Sequence, residues 1–210
     1  MFRFLLALAI VAILVLTFFA KQYAFFPFDL YLTNQIQRVE VSWFSALMLV
    51  LSWIGNQTQA IIFLILGFLL FWYFNKREYA LGLLVSTTGA VVIAETIKFI
   101  VARPRPDPNM IEQVETFARA DSFPSGHVLL YIGFYGFLLF SAFTLIKKPI
   151  LRYIVCGMLG FMVGLIGVSR IYIGSHWFSD TLASYLIGAI WLYLMVLLFR
   201  KIEVLFKNNG

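Results

Sequence analysis

Residues 41–54, VSWFSALMLVLSWI, decide how this chain is threaded. The stretch is apolar almost throughout. At 14 residues it falls short of the roughly 20 that a helix needs to cross a hydrocarbon layer. It therefore reads as an interfacial or re-entrant helical segment. Counting it as a crossing would also move Lys76 and Arg77 to the side opposite Arg3, against the preference of basic residues for the cytoplasmic face.

Without it, six longer apolar runs remain, at about residues 2–20, 58–74, 79–101, 128–146, 150–168 and 181–199. A chain that is 62% hydrophobic and 12% charged, with a mean hydropathy of +0.91, has more apolar surface than one water-soluble core can hide. It belongs in a bilayer. The runs are too continuous for a barrel's alternation, and lipid leaves unpaired backbone groups without partners, so the fold is expected to be all-α. The expectation is an integral membrane bundle of six transmembrane helices, with the interfacial segment between the first and second spans, forming one domain over residues 1–210.

The first run reads as a retained anchor, because no small-x-small cleavage site precedes Lys21. The single Cys156 excludes a disulfide framework and a cysteine-based metal site. Gly157, Gly160, Gly164 and Gly167 share one face of the fifth run and are expected to pack against a neighbouring helix of the same chain. Asn56-Gln57-Thr58 is a formal glycosylation sequon that abuts a helix and reads as chance.

Six spans place Arg3, Lys76, Arg77, Lys147, Lys148, Arg152, Arg200, Lys201 and Lys207 on the cytoplasmic side, with both termini. Lys21, Arg38, Lys98, Arg103, Arg105, Arg119 and Arg170 fall on the outer side. The net charge of +6 is thus a matter of topology, and nothing in it points to nucleic acid.

Three polar clusters interrupt the apolar background. The first runs from Lys98 to RPRP at 103–106, where the prolines end the helix. The second is SFPSGH at 122–127. The third, GVSRIYIGSHWFSD at 167–180, is expected to end the fifth helix with Ser169 and Arg170 and to open the sixth with His176 and Asp180. Alternate helices run in opposite directions, so all three clusters reach one membrane face. A charge inside a membrane costs roughly 2.5–3.5 kcal/mol, which makes Lys98 a functional candidate, with Glu95 a turn earlier as its partner. Taken singly, Lys98 also reads as a snorkelling anchor and Arg170 as a topology charge.

His176 and Asp180 stand at i and i+4, where the carboxylate can accept a proton from one ring nitrogen and turn the other outward. On an isolated helix this is an ordinary surface pair. Two histidines and an aspartate also suit a metal, but Lys98, Arg105 and Arg170 would repel a cation and attract an anion. Arginine forks and a lysine suit a phosphate, and the N–H groups of Ser125 and Gly126 at a helix start add to that field.

These residues match a family pattern: Lys98-x6-Arg105-Pro106, Pro124-Ser125-Gly126-His127, and Ser169-Arg170-x5-His176-x3-Asp180. The chain resembles the membrane branch of the type-2 phosphatidic acid phosphatase superfamily, across nearly its whole length. The resemblance implies that His176 is the nucleophile of a phosphohistidine mechanism, that Asp180 fixes its tautomer, and that His127 is the general acid. Lys98, Arg105, Ser125, Gly126 and Arg170 would hold the phosphoryl oxygens, with no metal and no cofactor.

The implied substrate is a lipid phosphate whose tails stay in the bilayer, handled at the outer face of a bacterial plasma membrane, with no obligate protein partner. Small chains of this kind resemble phosphatidylglycerophosphate phosphatases and undecaprenyl diphosphate phosphatases, and we place the first slightly ahead. A non-catalytic lipid-phosphate binder or transporter would leave His127 and Asp180 without a duty. Vanadate-dependent peroxidases share the motifs, but six spans argue against them.

Overall fold

The computed structural model describes residues 2–114 and 121–208. Arg119 and the side chain of Lys207 lie outside the described residues. The chain folds as α1 (Phe2–Gln22), α2 (Pro27–Gln37), α3 (Ser42–Ile54), α4 (Gln57–Tyr73), α5 (Arg77–Val101), α6 (Gly126–Tyr131), a π turn (Ile132–Gly136), α7 (Phe137–Leu145), α8 (Pro149–Tyr172) and α9 (Phe178–Asn208). Among the described residues the only β pairing is an isolated bridge between Pro104 and Asp121.

Five helical stretches are long and apolar enough to cross a membrane: Arg3–Gln22, Arg77–Val101, Gly126–Leu145, Pro149–Tyr172 and Phe178–Ile202. The sixth expected span is α4, and it is joined to α3 as one helix pair bent by 67°. The 41–54 stretch is thus helical from Ser42 and continues into the second run across a sharp elbow. Asn56 makes the elbow by taking an extended conformation (φ −65°, ψ 151°) at the N-cap of α4. Gly55 beside it has no side chain, and a Cβ there would lie 2.5 Å from His127 Cδ2. The connection from α1 also contains α2, a helix the periodicity did not separate.

One face of α3 is buried against the fourth and fifth spans, where Met48 and Leu51 cluster with Val128, Tyr131, Ile132 and Ile166. Hydrogen bonds pin the same contact: Ser169 donates to Met48 O at 2.6 Å and Tyr131 to Leu51 O at 2.6 Å. Such bonds close off backbone carbonyls that neither lipid nor apolar side chains could satisfy. The outward surfaces stay apolar, with Leu66, Leu69, Phe99 and Ile150 exposed, as a bundle solvated by lipid requires.

Close helix contacts occur where glycines permit them. A Cβ on Gly133, in the π turn, would sit 2.8 Å from Ser86 O, and Ser86 Oγ donates to Gly133 O at 2.8 Å. This brings α5 against the fourth span below the polar end. The glycine face of α8 behaves differently from expectation. Only Gly167 is tightly packed, 2.6 Å from the Tyr185 ring for an added Cβ, while Gly157 and Gly164 meet nothing within 4 Å and Gly160 only Leu139. Four glycines share a face, but α9 crosses α8 at one end of it alone. Gly167→Leu should therefore lower stability by about 1–3 kcal/mol through overpacking, whereas Gly164→Leu should leave the thermal midpoint in detergent nearly unchanged.

Candidate active site

The polar end of the bundle is assembled by helix termini. Helix α5 stops at Val101 because Ala102 takes the left-handed conformation (φ 50°) and Arg103, preceding Pro104, is pushed toward extended backbone. Segment 103–106 then folds across the α8–α9 turn, with Arg105 Nη1 donating to Ser175 O at 2.8 Å. Lys98, in the last turn of α5, is buried and lies 3.8 Å from Glu95, whose side chain is 44% exposed. The expected Lys98–Glu95 pair is present.

At the start of α6 one expectation changes. The N–H of Ser125 donates to Ser184 Oγ of α9 at 2.7 Å, and Ser184 in turn donates to Asp180 O at 2.6 Å. That N–H is spent on holding two helices together and is not available to an anion. The Ser125 hydroxyl is buried with no hydrogen-bond partner among the described residues. Gly126 is the first residue of α6, where a helical N–H has no acceptor in its own helix, and Lys98 Nζ stands 3.5 Å from where its Cβ would be. The site therefore offers a hydroxyl, an amide and an ammonium side by side. His127 Nε2 is 3.3 Å from Asn56 Oδ1 at the α3–α4 elbow.

The third cluster sits at the α8–α9 turn. Arg170, in the last turn of α8, donates to Ser52 Oγ of α3, and its own carbonyl accepts from Ser175 N at 3.1 Å and His176 N at 3.2 Å. His176 is thereby pinned just outside α9, which begins at Phe178, and is not in the first turn of that helix as its spacing from Asp180 suggested. The two still approach. His176 Nδ1 is 3.7 Å from Asp180 Oδ2, beyond hydrogen-bonding range, because Asp180 folds back to accept from Trp177 N at 3.0 Å, as an acidic residue at a helix start does.

His176 is 1% exposed. Burial first, and then the positive charges of Arg105, Arg170 and Lys98, hold its pKa well below the ordinary histidine value, with a backbone contact to Ser122 acting the other way. The ring is thus a neutral imidazole inside a cationic pocket. The same three cations, and His176 itself, also act electrostatically on His127. Among the described residues no group of three His, Cys, Asp or Glu side chains is arranged to hold a metal ion.

Sequence reading missed several partners. Asp29 of α2, Ser52, Asn56 and Ser184 all touch residues of this end, and Arg103 is buried against Asp29 and Asp180. Asp29 had a signal, as a lone acid in an apolar stretch, and Asn56 had been set aside as a sequon.

The chain is 26% identical over 189 residues to an undecaprenyl-diphosphatase of Sulfolobus acidocaldarius, covering 86% of this chain and 85% of the relative. It is 29% identical over 138 residues to phosphatidylglycerophosphatase B of Bacillus subtilis, covering 64% of each. The crystal structure of a transmembrane PAP2-type phosphatidylglycerolphosphate phosphatase from Bacillus subtilis superposes with a TM-score of 0.74 at 20% identity, over 91% of this chain and 96% of that one. Aquifex aeolicus LpxE superposes with a TM-score of 0.62 at 22% identity, over 81% of this chain and 96% of that one. The model of the PAP2 superfamily matches residues 79–203, which carry all three motifs, and the chain belongs to that superfamily of membrane phosphatases.

Proposed function

We propose that the protein removes the terminal phosphate of a lipid phosphate, converting phosphatidylglycerophosphate to phosphatidylglycerol through a phosphohistidine. The observation that supports this reading is the buried His176 in the field of Arg105, Arg170 and Lys98, which disfavours its charged form. Lys98, Arg105, Arg170, the Ser125 hydroxyl and the Gly126 N–H hold the phosphoryl oxygens. His176 attacks phosphorus through Nε2, since Nδ1 is the nitrogen that faces Asp180. The bond to the lipid oxygen breaks, and His127 gives that oxygen a proton. Water then attacks the phosphohistidine, passing a proton to His127, and the P–N bond breaks to leave inorganic phosphate and neutral His176. No step asks for a metal.

The basic turns at 76–77 and 147–148 lie at the opposite end from the site, which favours cytoplasmic termini and a site on the outer face. A second reading, hydrolysis of undecaprenyl diphosphate, is favoured by the greater share of the chain matched by the Sulfolobus relative. Phosphate release from phosphatidylglycerophosphate, undecaprenyl diphosphate and phosphatidic acid by purified protein in one detergent decides between them. Phosphatidylglycerophosphate should give the highest kcat/KM, and a chelator should leave it unchanged. Lipid binding without release of phosphate would make the protein a carrier.

A further inference from the structure

We propose that Asp29 and Arg103 are positioning residues for His176, an assignment that rests on the phosphohistidine reading. Neither belongs to the motif residues that carry the chemistry, and Asp29 lies outside the segment matched to the family. Yet the two form a densely hydrogen-bonded polar group in the interior. Arg103 is 1% exposed. Its Nη1 donates to Ser179 Oγ at 2.7 Å and Asp180 Oδ1 at 2.5 Å, and its Nη2 to Asp29 Oδ2 at 3.0 Å. Its Nε donates to Ala24 O at 3.1 Å, and its Cζ lies 4.9 Å from the centroid of the Phe26 ring. Asp29 accepts from both Ser179 N and Ser179 Oγ at 2.8 Å, capping α9 from a helix 150 residues earlier.

The consequence falls on the nucleophile. Asp180 has one oxygen fixed by Arg103 and the other by Trp177 N, so the oxygen facing His176 Nδ1 has a set direction. As Nε2 attacks phosphorus the imidazole gains positive charge, which the Asp180 oxygen facing Nδ1 is placed to stabilise. Stability alone explains the group poorly, because a buried ion cluster is often no more stabilising than apolar side chains of the same volume. The inference is that α2 and segment 103–106 clamp the start of α9 so that the ring presents Nε2 to the phosphate.

The test compares wild type with Asp29→Asn, which keeps the shape and the Oδ1 contact to Ser179 N but puts an uncharged amide where Oδ2 accepts from Arg103. Expected is a kcat about 10–100-fold lower, with KM within about twofold, the size of effect that misplacing a reacting group produces. The chain has only two histidines, so 15N-histidine labelling reports both rings separately. The His176 imidazole should shift in the variant while that of His127 stays in place. Unchanged kcat, or both rings shifting together as a general loosening would make them, overturns the proposal. Should Asp29→Asn not fold, Arg103→Lys, which keeps charge but loses the fork, takes its place with the same expectations. If wild type releases no phosphate from any lipid, the functional reading fails, and the selective ring shift still decides the positioning.

Discussion

His176→Ala should stop phosphate release, lowering kcat by on the order of 10⁴–10⁶-fold, because in the proposed mechanism the covalent intermediate forms on that ring. Protein quenched in alkali during turnover of a ³²P-labelled lipid should carry label in wild type and none in His176→Ala. The folded state of the variant is checked by its thermal midpoint. The pH dependence follows from the same residue. Its pKa is lowered, so the neutral, nucleophilic ring persists as pH falls below the ordinary histidine value of about 6.5 and is lost only when the lowered pKa is crossed. In a His127→Gln background His176 is the one remaining histidine, and its ¹⁵N titration midpoint should lie below about 6.5. A midpoint above that value would contradict the cationic pocket.

His127→Ala should lower kcat on a lipid phosphate by about 10²–10⁴-fold, the range in which a positioned general acid contributes. The informative comparison is with an aryl phosphate whose phenolate leaves without a proton. There the first step no longer needs His127, so the burst of released phenol should return toward the wild-type rate while steady turnover stays slow. The reason is that water activation in the second step still lacks its base. An equal loss in burst and steady phases would sink the acid–base assignment and leave His127 a packing residue against Gly55 and Asn56.

Much of the architecture could be read from the chain because the bilayer imposes it. Hydrocarbon thickness sets the length of each apolar run, and the observed helices Arg77–Val101, Gly126–Leu145 and Pro149–Tyr172 begin and end within a few residues of the runs at 79–101, 128–146 and 150–168. Counting alternate directions was then enough to bring Lys98, His127, Arg170 and His176 to one end, where Arg105 and Ser125 now bond to Ser175 and Ser184. The segment between the first two runs was harder. Its 14-residue, largely apolar stretch fitted an interfacial helix, but the 67° elbow depends on Gly55 and Asn56 meeting His127, a residue more than 70 positions later.

The sequence by itself therefore determined the membrane class, the helix plan and which side chains share an end, because these follow from local apolar length and from parity. Only the tertiary structure decided that His176 stands before α9, that Ser125 gives its N–H to Ser184, and that Asp29 and Arg103 clamp Asp180. Those pairings join single polar residues some 60 to 150 positions apart. A lone polar group leaves no periodic signal along the chain, and its partner is chosen by which buried donor or acceptor the packing of helices leaves within reach.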